Sequence, residues 1–293
     1  MSAPAIAARR IVHRTRGHVH GPITRLMSPG DLGAFLKPFV FLDIFSLPDT
    51  SQSPFDLHPH SGIATVTVLT DGDASFDDGQ GNTGTIGYGG VEWMRSGRGV
   101  WHGKELGAGR SKGIEGFQLW LALPAHLELA EAESQYLEAA SIPKAGPARL
   151  IVGRYHGQES PVRAPTGVNY LMVTLKPGET WRYETPAGHE AGWLAVSSGA
   201  IMLDTPVSAG EMVIFDDSDG AIEMRAIGDA DATLVIGSAA PHPHPLHLGS
   251  YSVHTSADTL KAGERHIMDL RKKLVERERQ RSSSTNGPAP VLR

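Results

Sequence analysis

Eight short runs of β-branched, aromatic and aliphatic residues, each bounded by turn-forming residues, most constrain what this 293-residue chain can fold into. They are FVFLDIF (39–45), ATVTVLT (64–70), GFQLWLAL (116–123), RLIVGRY (149–155), NYLMVTL (169–175), GWLAVSS (192–198), EMVIFDD (211–217) and ATLVIGS (232–238). Between them the chain spreads 34 glycines and 20 prolines as punctuation. Many short strands separated by turns are the pattern of an all-β sandwich or barrel. Long helical periodicity is largely missing before residue 255.

The two halves share a rhythm of strand, glycine turn, strand and glycine-bearing hairpin. It runs through TDGDASFDDGQGNTGTIGYGGVEWMRSG and again through GWLAVSSGAIMLDTPVSAGEMVIFDD, which predicts a duplicated β-barrel unit. The loop-like SQYLEAASIPKAGPA sets the boundary near 135–148, giving a first barrel over 1–140 and a second over 141–255. From 256 to 293 the character changes. SADTLKAGERHIMDLRKKLVERERQR opens on a Ser/Asp capping signal and continues with helix formers, and SSSTNGPAPVLR reads as a disordered tail. RKKLVERERQR holds six basic and two acidic residues, whose mixed signs predict a solvated helix face rather than a nucleic-acid patch.

A net charge of −5 gives no pull toward nucleic acid or an anionic membrane. The N-terminus lacks the apolar run of a signal peptide and no stretch approaches membrane-spanning length, so a cytoplasmic protein is expected. With no cysteine, disulfides, zinc–thiolate sites and thiol nucleophiles are excluded. Any metal must be held by histidine and carboxylate.

There are 14 histidines, and one pair stands out: His58 and His60 in HPHSGIATVTVLTDG, at the mouth of a core strand. Residues i and i+2 of a strand face the same side, so both rings aim together while Pro59 points away. Alone, such a pair is as easily two surface or capping histidines. His102, after the glycine-rich turn of GRGVWHGKEL, adds a third imidazole at jelly-roll spacing and favours a metal site. The HVH of 18–20 and the HPHPLH of 242–247 read as structural, the second as an extended, solvated connector. His126, His156, His189, His254 and His266 carry no site assignment.

HPHSGIATVTVLTDG, GNTGTIGYGGVEWMRSGRGVWH, GFQLWLALP and PLHLGSYSVHTSADTL together resemble the pirin family, as does the opening KPFVFLDIF. The resemblance implies two stacked cupin (jelly-roll) β-barrels with a short C-terminal helix. It also implies one non-haem divalent metal, usually Fe(II), in the first barrel, with the second barrel empty. The family is associated with quercetin 2,3-dioxygenase activity and, in eukaryotes, with transcriptional co-regulation. Carried over residue by residue, His58, His60 and His102 fall on the three histidine ligands.

Two positions depart from the family pattern. The ligand glutamate expected two residues after the last histidine is Lys104 here, and Glu105 follows it. A one-residue slip turns a strand side chain to the other face, so Glu105 reaches the metal only if Gly103 sits in a bulge, with Lys104 projecting outward. An acidic residue often found after HPH is Ala64. In the chemistry the resemblance implies, a planar aromatic substrate and O2 meet at the metal and a carboxylate, Glu105, takes the substrate proton. Trp93, Met94, Trp101, Phe117 and Trp120 could line the pocket, although core packing is the better expectation for most of them. The displaced glutamate and Ala64 also motivate a non-catalytic module with a regulatory protein partner. A sugar- or small-acid-binding cupin is a third reading. The metal remains open among Fe, Ni, Co, Cu and Zn.

Overall fold

A computed structural model describes residues 8–50, 57–77, 82–103 and 105–285. All eight apolar runs lie on strands, and the chain builds two stacked β-barrels. The first is formed on a seven-stranded sheet in the order Glu133–Leu137, Val91–Arg95, Ile63–Gly72, Ile114–Ala122, Phe39–Leu47, Ile23–Met27, His18–His20. Facing it are the hairpin sheet of Leu106–Ala108, Ala74–Asp77 and Thr83–Ile86, and the pair His58–His60 with Val100–His102. The second barrel repeats the plan on Met212–Phe215, Ala191–Ser198, Ala232–Ala239, Val168–Leu175, Ala148–Val152 and Lys144–Ala145. Its outer edge is Ile11–Thr15, which pairs with Met212–Phe215 although it comes from the N-terminal end of the chain.

Both large sheets are buried on both faces, which is why their strands read as continuous apolar runs rather than as alternating ones. In the first sheet Leu42, Val66, Val68, Trp93, Phe117, Leu119 and Leu121 face the second barrel. They merge there with Tyr170, Met172, Trp193, Ile214 and Val235 in one shared core. The side chains between them in sequence face the interior of the first barrel.

The segment after the second barrel returns to the first. His247–Leu248 and Val253–His254 pair as a short ribbon, and helix Ala257–Thr285 follows, capped by the Ser256 hydroxyl, which accepts the Thr259 amide at 3.2 Å. The ribbon is bolted down by buried polar contacts. Ser61 Oγ lies 2.9 Å from both Ser252 Oγ and His254 Nε2, and Glu128 accepts the Thr255 amide at 2.7 Å. Trp101 Nε1 donates to the Ile267 carbonyl at 2.9 Å, fixing the helix to the strand that carries His102. A Cβ on Gly263 would stand 2.5 Å from Ser61 Oγ, so only glycine allows this approach.

Two expectations about the C-terminal region change. The helix runs through Thr285, including the first residues of the segment read as disordered; the rest of that tail lies outside the described residues. His242 is buried rather than solvated, with Nε2 3.3 Å from the Leu123 carbonyl, because the connector is pressed against the first barrel. Among the described residues no helix is long and apolar enough to cross a membrane.

Candidate metal centre

His58–His60 and Val100–His102 run antiparallel with His102 opposite His58 and Val100 opposite His60. Same-side projection of i and i+2, combined with this register, gathers three rings. Their centroids are 4.8 Å (His58–His60), 4.4 Å (His58–His102) and 5.1 Å (His60–His102) apart. One ligand atom from each lies within 4.8 Å of the others, so the trio could hold a metal ion.

The wiring of the rings suits that task. The Tyr251 carbonyl can only accept, so His60 Nδ1 carries the hydrogen of their 3.0 Å bond and Nε2 keeps its lone pair. Nε2 of His102 is buried without a hydrogen-bond partner among the described residues. A buried ring nitrogen left in that state is costly unless something binds it. Burial pushes His60 down to about 3 and His102 down to about 2, and His58 lowers both further. Neutral rings with free lone pairs are what a divalent ion requires.

Glu105 lines the same cavity but is not in the three-ring group; its Oε2 turns back to accept the Gly103 amide at 2.6 Å. Gly103 has φ +127°, a conformation that favours glycine, and this bend brings the carboxylate around to the cavity side. Lys104 lies outside the described residues. Ala64 is fully buried in the core shared by the two barrels.

Of the five aromatic and sulfur side chains considered from sequence, Trp120 lines the cavity, edge-on to His60 at 4.7 Å and stacked on Phe41 at 4.0 Å. The Arg25 guanidinium caps that stack, 4.0 Å from the Phe41 ring centre. Trp93 and Phe117 are core, Met94 is buried, and Trp101 anchors the helix.

The cavity measures about 490 Å³, within the range of small-molecule sites. Arg25, Asp43, Gln118 and Glu92, which line it, were not singled out in the sequence, nor were Thr67 and Tyr136 on the neighbouring strands. Arg25, Asp43, Gln118, Thr67, Glu92 and Tyr136 are successive cross-strand partners, forming one polar row across the inner face of the sheet. Arg25 clasps Asp43 with Nε–Oδ1 at 2.6 Å and Nη2–Oδ2 at 3.0 Å. Thr67 Oγ1 sits 2.8 Å from Glu92 Oε2 and 3.2 Å from Gln118 Oε1. Burial pushes Glu92 up to about 7; the Glu105 charge adds to the rise, while hydrogen bonds from Thr67 and Tyr136 oppose it. The signal was present in FLDIF, ATVTVLT, VEWMR and GFQLWLAL, each with a polar residue inside a buried strand. Such residues are rarely buried without a partner.

The Pirin family model matches residues 23–121, the span that carries the trio and every member of the polar row except Tyr136. A pirin-like protein of Caulobacter vibrioides is 30% identical over 82% of this chain and 89% of its own. Pirin-like protein 2 of Arabidopsis thaliana is 30% identical over 76% of this chain and 72% of its own. A Pseudomonas aeruginosa protein with a provisional quercetin 2,3-dioxygenase name is 30% identical over 71% of this chain and 77% of its own. Among solved structures, a quercetin 2,3-dioxygenase from Acinetobacter baumannii superposes with TM-score 0.76 at 24% identity, over 88% of this chain and 96% of that one. A nickel(II) complex of the Escherichia coli pirin YhhW gives 0.57 at 17% identity, over 80% and 99%. Sequence similarity along most of the chain and a shared two-barrel fold agree: this chain belongs to the pirin family.

Proposed function

We propose that His58, His60 and His102 hold one divalent metal ion, Fe(II) in the working protein, and that the cavity beside it oxidises a planar hydroxylated aromatic such as quercetin with O2. The observation that carries this reading is the meeting of three imidazoles, one with a buried Nε2 that has no hydrogen-bond partner among the described residues, at the wall of a cavity flanked by the Trp120–Phe41 stack. A bound divalent ion would supply Lewis acidity and open positions for oxygen chemistry.

The chain's own residues do the rest. Trp120 and Phe41 offer a flat apolar wall for a ring system, Glu92 and Gln118 offer acceptors for its hydroxyls, and Glu105 places negative charge at the mouth. Leu248 to Val253, from the returning C-terminal segment, close one side against water. The provisional dioxygenase name of the Pseudomonas relative supports the substrate class. The nickel bound by the Escherichia coli pirin supports a divalent ion without choosing iron.

Metal analysis of protein made in iron-replete medium, followed by O2 uptake with quercetin, tests the proposal. One metal per chain and quercetin-dependent uptake are expected. Metal-free protein of full stability would end it.

A second reading, a non-catalytic regulatory module, draws on Glu105 turning to the Gly103 amide instead of joining the trio. It predicts metal binding without O2 uptake, and a specific protein partner that is retained when His102 is replaced.

A further inference from the structure

We propose that Glu92, rather than Glu105, is the proton acceptor for the substrate hydroxyl in this cavity, working as the middle of a Gln118–Thr67–Glu92–Tyr136 hydrogen-bonded row. The inference rests on the dioxygenase reading of the same site and names the residue that would perform its proton step.

Thr67 Oγ1 is within bonding distance of two oxygens, Glu92 Oε2 at 2.8 Å and Gln118 Oε1 at 3.2 Å, but a hydroxyl has a single proton to donate. With Glu92 ionised, Thr67 donates to its carboxylate. With Glu92 protonated, the carboxylic acid donates to Thr67, whose own hydrogen turns to Gln118 Oε1. Both proton states are therefore fully bonded, and turning one hydroxyl interconverts them. Tyr136, opposite Glu92 on Glu133–Leu137, supplies a further hydrogen bond to the carboxylate.

The step balances. A substrate O–H bond breaks, its electron pair stays on the substrate oxygen, and the proton passes to Glu92; no oxidant is consumed. Glu105 is worse placed for this. Its Oε2 accepts the Gly103 amide, whose hydrogen cannot turn away as a hydroxyl's can, and among the described residues no neutral hydroxyl is shown bonded to it. The titratable groups facing Glu92 are Tyr136, from the neighbouring strand, and Glu105, from across the cavity; Thr67 and Gln118 are neutral. Burial and the Glu105 charge hold Glu92 near neutrality, where a proton acceptor can also release its proton again.

The experiment uses the full-length, metal-loaded protein with quercetin as the probe. The absorption of bound quercetin reports its ionisation, and the infrared carbonyl band of protonated carboxylic acids reports where the proton goes. Native protein should bind quercetin as an anion at neutral pH and gain carboxylic-acid signal. Glu92→Gln, nearly isosteric, should keep its metal and lower the ionised fraction roughly ten-fold or more with no infrared gain; Glu105→Gln should still gain carboxylic-acid signal on Glu92, with the midpoint of that band moved to lower pH because a charge that raises it is gone. A second arm needs neither metal nor quercetin. In the metal-free protein, Thr67→Val removes the donor to the ionised carboxylate and should move the midpoint of the Glu92 infrared band to higher pH. Ionisation of quercetin by Glu92→Gln at the native level, or an unmoved midpoint in Thr67→Val, would overturn this inference alone. Native protein that takes up metal yet leaves quercetin unbound would overturn the dioxygenase reading, and this inference with it.

Discussion

The two barrels share a plan and differ in what their inner faces carry. In the second, cross-strand rows such as Ala148–Val173–Leu234–Val196 and Leu150–Leu171–Ile236–Leu194–Val213 are apolar throughout and belong to one buried cluster. In the first, the row Arg25–Asp43–Gln118–Thr67–Glu92–Tyr136 is polar, and the interior core is confined to one end around Phe45, Leu69, Ile86 and Ile114. Filling an inner face gives packing stability; leaving it polar and partly empty gives a cavity. One barrel thus supplies rigidity through the shared interface while the other keeps room for chemistry.

The contrast can be broken most drastically at the trio. Replacing His60 and His102 by alanine should abolish stoichiometric metal, read by elemental analysis, while the second barrel holds the fold and the melting temperature of the metal-free protein changes little.

Truncation should expose the difference in packing. Leu171→Ala, in the filled barrel, should cost about 2–5 kcal/mol in urea unfolding. Gln118→Ala, on a wall already facing open space, should cost less than about half of that.

Acidity gives a third measure. Glu92 is raised from 4.5 in the unfolded chain to about 7 in the folded one, so the folded state holds the extra proton between those values. Its contribution therefore falls as pH rises from about 4.5 to 7 and levels off above, costing about 3 kcal/mol once the group is ionised. The depressed His60 and His102 act in the opposite direction: their folded forms resist protonation, so stability falls as pH drops below about 6.5 toward 3. Subtracting the urea-unfolding pH profile of Glu92→Gln from that of the native, metal-free protein isolates the first effect, and an identical slope in both would refute it.

Making the first barrel resemble the second is a sharper test. The combination Thr67→Val, Glu92→Leu, Gln118→Leu and Tyr136→Phe should leave stability unchanged or raise it by roughly 1–2 kcal/mol, since the hydrogen-bonding partners of Glu92 and Thr67 are removed together. Retention of quercetin by that variant would show that the row has no part in recognition. The smallest effect belongs to Trp101→Phe, which loses one hydrogen bond to the Ile267 carbonyl, worth about 1 kcal/mol. Faster amide exchange at the start of the C-terminal helix should accompany it.

How much of this was legible in the sequence depends on range. Each apolar run announces its strand because side-chain alternation and turn chemistry act over a few residues. The His58–His60 pair announces its shared face for the same reason, and His102 was marked by the glycine-rich turn before it and then by the family motif. The C-terminal helix was readable from Ser256 and the helix formers behind it, but its attachment to the first barrel through Trp101 was not. Nor was the pairing of Ile11–Thr15 with a strand two hundred residues away.

Local pattern determined the strands, their faces and the two adjacent imidazoles, since those depend only on period-two geometry. Tertiary structure alone decided that Asp43, Thr67, Glu92 and Gln118, polar residues in four separate strands, fall into a single row. It also decided that Tyr251 sets the hydrogen on His60, and that Glu105 bends back to Gly103. Cross-strand register and chain return bring distant residues together, and neither is written in the spacing of neighbours.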